Sequence, residues 1–191
     1  MNGTKTQESG FSYIDVMIAV TILLVGVMAL LSAITSGITM TTKSHNALTA
    51  KQLASSTVES IYAARDLPAT VAPPRVALGW ESIGNAGNPA IPGGIFLAGK
   101  RPIYPSAGND GIFGTADDPA GPDGLIGTAD DGEAIPLLQR EIRVTDIADP
   151  DRPTSPIDLR QIDVIIYYSV GSLTLQETFT SYIANYRVKQ D

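Results

Sequence analysis

The segment Asp110-Gly111-Ile112-Phe113-Gly114-Thr115-Ala116-Asp117-Asp118 recurs thirteen residues later as Asp123-Gly124-Leu125-Ile126-Gly127-Thr128-Ala129-Asp130-Asp131, with seven of nine positions identical. Aspartates interleaved with glycines are the raw material of a hard-cation loop. Calcium takes roughly six to eight oxygens at flexible geometry, and glycine lets the backbone turn sharply enough to converge them. The candidate ligands are Asp110, Asp117, Asp118, Asp123, Asp130 and Asp131, with Asn109 and Glu133 behind them. The acid spacing is not that of an EF-hand, and no glutamate closes a twelve-residue loop. A solvated acidic loop whose Gly-Thr and Asp-Asp turns only shape hairpins is the equal alternative.

The other chemically pointed residue is Asp15. It is the single charged side chain between Phe11 and Thr42. A carboxylate one turn inside an apolar segment is costly and calls for a partner. From Val16 to Leu31 every residue except Thr21 is apolar or glycine, and the run continues with little polarity through Ile38. Roughly 20 helical residues, at about 1.5 Å each, cross a hydrocarbon core about 30 Å thick. The run is too long for the apolar part of an ordinary signal peptide, and one lysine is a weak basic start.

Gly10-Phe11-Ser12-Tyr13-Ile14-Asp15, followed by Val16-Met17-Ile18-Ala19-Val20, resembles the prepilin cleavage and methylation motif of type IV pilin-like proteins. The resemblance implies a leader peptide over residues 1–10, cleavage after Gly10 by the prepilin peptidase, and methylation of the new amino terminus on Phe11. It further implies that Asp15 neutralises the amino terminus of a neighbouring subunit in the filament. Two opposite charges attract strongly in a low-dielectric bundle, and leaving either unpaired costs several kcal/mol, which favours one stagger between subunits. The family usually has glutamate at this position. Aspartate keeps the charge with a reach one methylene shorter, and suits a minor subunit.

The elements that must position these groups follow from periodicity. No proline occurs before Pro68, so one helix is expected from Phe11 to about Arg65. It has a membrane-spanning or filament-core part over 11–38 and an amphipathic part over 39–66, where Ala47, Ala50, Ala54, Val58 and Ile61 form an apolar stripe and Lys51, Ser55 and Glu59 lie off it. That second part is similar to the equivalent stretch of V-type minor pilins and I-type pseudopilins. Ten of the thirteen prolines lie in 67–136, which is expected to be a loop carrying the acidic repeat, with Trp80, Ile95 and Phe96 tucking short strands or turns against the rest. Within 137–191, the segments Leu137 to Thr145, Gln161 to Val170 and Leu173 to Arg187 alternate apolar and polar residues and are expected to be antiparallel strands, the last two joined by a glycine-first turn at Gly171-Ser172. The expected fold is α+β: a long N-terminal helix packed on a small antiparallel sheet.

Composition narrows the function classes. A formal charge of −7 with no Lys/Arg cluster argues against nucleic-acid binding. The absence of cysteine removes disulfides and thiolate metal sites. One histidine, His45, next to the end of the apolar run, and carboxylates confined to a loop give no catalytic constellation, so no enzyme is expected. The resemblance implies a structural minor subunit of a type IV pilus or of a type II secretion pseudopilus. Its partners would be other pilin or pseudopilin subunits, the prepilin peptidase, the inner-membrane assembly platform and the inner membrane itself. Before assembly the chain would cross the inner membrane once with its head in the periplasm, and afterwards it would belong to a periplasmic or surface filament. The alternative is a membrane-anchored, calcium-dependent adhesion or binding module.

Overall fold

The computed structural model describes residues 12–66, 78–121, 126–151 and 156–185. The fold is α+β, as expected. Helix α1, Tyr13–Asp66, runs unbroken for 54 residues, and a four-stranded antiparallel sheet follows in the order β1 (Arg101–Pro102), β2 (Leu138–Ile147), β3 (Leu159–Val170) and β4 (Leu173–Ala184). The chain divides into two compact units, Met1–Ser44 and His45–Asp191.

In the first unit the described part of α1 is exposed throughout and is long and apolar enough to cross a membrane. Its threonine hydroxyls do not interrupt that character. Thr21 donates to the Met17 carbonyl at 2.8 Å and Thr35 to the Leu31 carbonyl at 2.9 Å, and Thr39, Thr41 and Thr42 repeat the pattern four residues back. Each hydroxyl is therefore satisfied inside the helix without water.

In the second unit α1 buries the stripe read from its spacing: Ala50, Ala54, Val58 and Ile61, extended by Thr57 and Ala64. Ala47 is half-buried against the same core. Small residues at the helix surface let the sheet approach closely. Facing them are Ile142 and Val144 of β2, Ile162, Val164, Ile166 and Tyr168 of β3, and Ile183 of β4. The register confirms one face: Ile142 lies opposite Val164, and Val144 opposite Ile162. At its end the helix is closed by the returning chain, where the Gly79 amide donates to the Ala64 carbonyl at 2.9 Å.

The middle segment has little regular structure, as expected, but it is not a solvated loop. Leu78, Ile83, Ile91, Phe96, Ile103 and Ile112 are all buried in the common core. Trp80–Ser82 forms one 3₁₀ turn, Asn85 and Phe96 form an isolated parallel bridge, and Arg101–Pro102 supplies the short edge strand β1. Asn85 completes the edge of β2: its side-chain amide donates to the Ile142 carbonyl at 2.7 Å and accepts the Val144 amide at 3.0 Å. A side chain thus occupies hydrogen-bonding positions that an open edge would present to another chain.

Two arginines stand on the inner face of the sheet among these aliphatic residues. Arg160 bonds Asp146 at 2.8 Å, donates to the Trp80 and Ile83 carbonyls at 2.6 and 2.9 Å, and lies 4.2 Å from the Trp80 ring centroid. Arg140 reaches the acidic repeat. Both buried charges therefore clamp the middle segment onto the sheet. The strand starting at Leu137 in the sequence reading begins one residue later, because Leu137 has a φ of 64°. The turn Gly171-Ser172 is present, with Gly171 at a φ of 61°.

Candidate functional site

Asp15 sits in the first turn of α1. One of its carboxylate oxygens accepts the Ser12 amide at 3.3 Å, and the Ser12 hydroxyl accepts the Ile14 amide at 3.4 Å. The Asp15 and Val16 amides both donate to the Ser12 carbonyl. Ser12-Tyr13-Ile14-Asp15 is thus a loose capping box, with a negative side chain at the positive end of the helix dipole. The Ser-x-x-Asp spacing carries that signal in the sequence. Gly10 and Phe11 lie outside the described residues.

The acidic repeat is a structural repeat. In the first copy the Asp118 carboxylate accepts the Gly114 amide at 2.9 and 3.0 Å and the Thr115 amide at 3.2 Å, and the Thr115 hydroxyl stands 2.7 Å from Asp117 Oδ1. In the second copy Asp131 accepts the Gly127 amide at 2.6 Å, and the Thr128 hydroxyl stands 2.7 Å from Asp130 Oδ1. Gly114 and Gly127 share a left-handed backbone, with φ of 94° and 91°, which glycine adopts without strain. Each Gly-Thr-Ala-Asp-Asp unit is a turn closed by its own last carboxylate.

The repeat also begins two residues earlier than its sequence suggests. A Cβ at Gly108 would stand 2.4 Å from the Asp117 carbonyl oxygen, and one at Gly121, thirteen residues on, would stand 2.2 Å from the Asp130 carbonyl oxygen. Both glycines are places where the closed turn presses on the chain that leads into it.

The copies differ in what they hold. Asp118 and Arg140 are each 3% exposed and paired at 2.5 Å, and the other arm of Arg140 donates to the Thr57 hydroxyl of α1 at 3.3 Å. The guanidinium also lies 5.6 Å from the Phe113 ring centroid. Burial pushes the Asp118 carboxyl up, against the pull of Arg140 and of the loop amides, and burial lowers Arg140 in turn. Copy one therefore staples helix, loop and sheet together, while Asp130 is exposed and Asp131 half-buried.

The remaining candidate ligands are placed as follows. Asp117 accepts the Asn109 and Asp110 amides at 2.8 and 3.1 Å through Oδ2. Asp110 accepts the Ile112 amide at 2.7 Å through Oδ1, while its Oδ2 is enclosed without a hydrogen-bond partner, as is Asp131 Oδ1. Burial, first of all, raises the Asp110 pKa to about 6, with the neighbouring Asp117 charge adding to it. Glu133 is exposed, and Asp123 lies outside the described residues. Among the described residues no group of three or more acidic or histidine side chains converges as a metal site would require. Asp110, Asp117 and Asp118 are thus gathered in one turn, but their oxygens are aimed mainly at loop amides and Arg140.

No protein-family model, curated protein or solved structure matches this chain. His45, the single histidine, is exposed and at the start of the second unit.

Proposed function

We propose that this protein is a minor subunit of a type IV pilus or of a type II secretion pseudopilus, built into a filament through its N-terminal helix after its leader is removed. The reading is carried by the Gly10-Phe11 junction with Asp15 five residues into the mature chain, at the head of a helix whose apolar first part buries nothing within its own chain. Such a surface requires an apolar environment, first lipid and then the equivalent helices of other subunits. The second half of the same helix supports the reading in another way: it is a structural part of the head, so a force on the membrane segment is delivered directly to the folded unit. In the filament Asp15 exchanges its weak contact with the Ser12 amide for the freed amine of a neighbouring Phe11.

Intact mass of the membrane-extracted protein tests this. A chain beginning at N-methylated Phe11 is expected. Retention of Met1 to Gly10 in cells that process other prepilins would overturn it.

A second reading, a membrane-anchored calcium-dependent adhesion module, is favoured by the two enclosed, unpartnered oxygens of Asp110 and Asp131. Calcium would relieve the cost of burying them. Titration of the unit His45–Asp191 with calcium decides it. An unchanged melting temperature at millimolar calcium counts against binding.

A further inference from the structure

Arg101 of β1 lies directly opposite Arg140 of β2, which in turn lies opposite Ile166 of β3. Partners across an antiparallel ladder project to one face, so both guanidinium groups stand on the inner face of the sheet. Lys100, one residue back, goes to the other face, where its ammonium lies 3.9 Å from the Tyr167 ring centroid. Like charges directly opposite each other destabilise a sheet. Here only one of the two is answered. Asp118 pairs with Arg140, and among the described residues no carboxylate is within ion-pair distance of Arg101. Two cations and one anion leave one positive charge over, in a chain whose formal net charge is −7.

Arg101, Asp118 and Arg140 line one cleft of about 150 Å³, with Leu97, Pro119 and Ile142 among its apolar walls. Its acceptors are already engaged. The Asp118 oxygens take the Gly114 and Thr115 amides and Arg140, and the Thr115 hydroxyl has given its proton within its own turn. The groups with capacity to spare are donors. Arg101 Nε donates to the Ala98 carbonyl at 3.2 Å, and its terminal nitrogens meet no acceptor among the described residues. The Nε–H of Arg140 and the hydroxyl of Tyr104, which also lines the cleft, make no hydrogen bond there either.

We infer that this cleft binds a small organic monocarboxylate, with the carboxylate on Arg101 and Tyr104 and a compact apolar body against Leu97, Pro119 and Ile142. One unanswered cation calls for one negative charge, and a planar carboxylate matches the guanidinium fork. An inorganic anion would leave the apolar walls without contact. A cavity of this volume holds a body about the size of benzene, which is too small for a long acyl chain. Occupancy would also relieve the repulsion between β1 and β2, so the ligand would tighten the short edge strand onto the sheet. All of these residues belong to the unit His45–Asp191, so the inference stands apart from the filament reading.

Benzoate is the probe. Titration calorimetry of the full chain in a zwitterionic detergent at neutral pH is expected to show saturable binding of benzoate. Benzamide, the same body without the charge, is expected not to bind. Arg101→Gln should weaken benzoate by about tenfold or more. Ala116→Trp, at an exposed and uncharged position of the lining, should abolish binding by filling the cleft. Far-UV circular dichroism checks the fold of both variants, and if Ala116→Trp does not fold, Arg101→Gln carries the test. No binding at millimolar benzoate overturns the proposal, as does equal binding of benzamide or an unchanged affinity in Arg101→Gln. A short peptide ending in leucine with a free carboxylate is titrated alongside. Binding of that peptide without binding of benzoate would place the carboxylate on a polypeptide terminus and overturn the assignment to a free acid.

Discussion

Replacing Asp118 with alanine removes the negative half of an ion pair that is almost wholly enclosed. Arg140 keeps its charge and its place on the inner face of β2, and its remaining hydrogen bond to the Thr57 hydroxyl cannot neutralise it. Leaving one buried charge uncompensated costs about 3–5 kcal/mol. The Gly114 and Thr115 amides lose their acceptor at the same time, which adds about 1–3 kcal/mol where water cannot replace it. A cleft bounded by Thr115, Asp118 and Arg140 admits water to part of the site, so the expected total is about 4 kcal/mol. For a unit of roughly 150 residues this lowers Tm by about 8–16 °C. Asp131 occupies the same place in the second copy and closes the same turn, but it meets no arginine in the described structure and is only half-buried. Asp131→Ala should cost about 1 kcal/mol, the value of one hydrogen bond. Urea and thermal unfolding of the fragment His45–Asp191 measures both. Equal losses for the two variants would refute the reasoning, because they would show that the Arg140 contact adds nothing to turn closure.

Asp110→Asn should stabilise the head at pH 7.5 by about 1 kcal/mol, a figure reduced because the group is half-exposed. With a folded pKa of about 6 against 3.8, Asp110 favours the native state when protonated below 3.8, and that advantage is lost as pH rises through 6. The gain should therefore vanish near pH 4, as read from unfolding curves at the two pH values, and a gain that persists there contradicts the assignment. Gly121→Ala should cost about 2 kcal/mol or more in the same assay, since its Cβ meets the Asp130 carbonyl backbone rather than a side chain that can move. Gly132→Ala, whose nearest neighbour would be 3.9 Å away, should be neutral within about 0.5 kcal/mol. Asp15→Ala should leave leader cleavage unchanged while reducing incorporation into filaments, scored by immunoblot of sheared filaments against membrane fractions. Asp15→Glu should restore it.

The first half of helix α1 was legible because it is uniformly apolar, its buried stripe because it follows the helical period, and the three long strands because they are rich in β-branched and aromatic residues between turn signals. In the middle segment only Trp80, Ile95 and Phe96 were legible as packing residues, although Ile83, Ile103 and Ile112 were in plain view. They lie in the core with residues of α1, β2, β3 and β4, and the segment that carries them is tied down by Arg140 and Arg160, which are far along the chain and read in isolation as ordinary polar strand positions. Alternation puts Arg140 on the face of Ile142 and Val144, and Arg160 on that of Ile162 and Val164, but it names no partner for a buried charge there. It takes the register of β2 against β3 to put Arg140 beside Ile166 and Arg160 beside Asp146. The acidic repeat was visible as a duplication. Its inequality was not, since identical Asp-Asp pairs meet a buried arginine in one copy, whereas in the other Asp130 is exposed and Asp131 only half-buried. Thr57 was hidden for a related reason: its hydroxyl bonds the Leu53 carbonyl at 2.7 Å and accepts from Arg140, so a polar residue completes an apolar stripe.

The two arginine clamps also impose an order on biogenesis. Synthesis runs from the amino terminus, so α1 and the middle segment emerge before either clamp exists. Until β2 and β3 follow, Phe96, Ile103 and Ile112 have no sheet to lie on, and Asp118 has no cation. The unit His45–Asp191 must therefore pass through an interval in which its middle segment is exposed while helix α1 is complete. Contacts spanning 83 residues, as between Thr57 and Arg140, close late and slowly. This interval is when a holding chaperone would bind and a protease would cut, and a chain truncated before Arg140 would remain in that state.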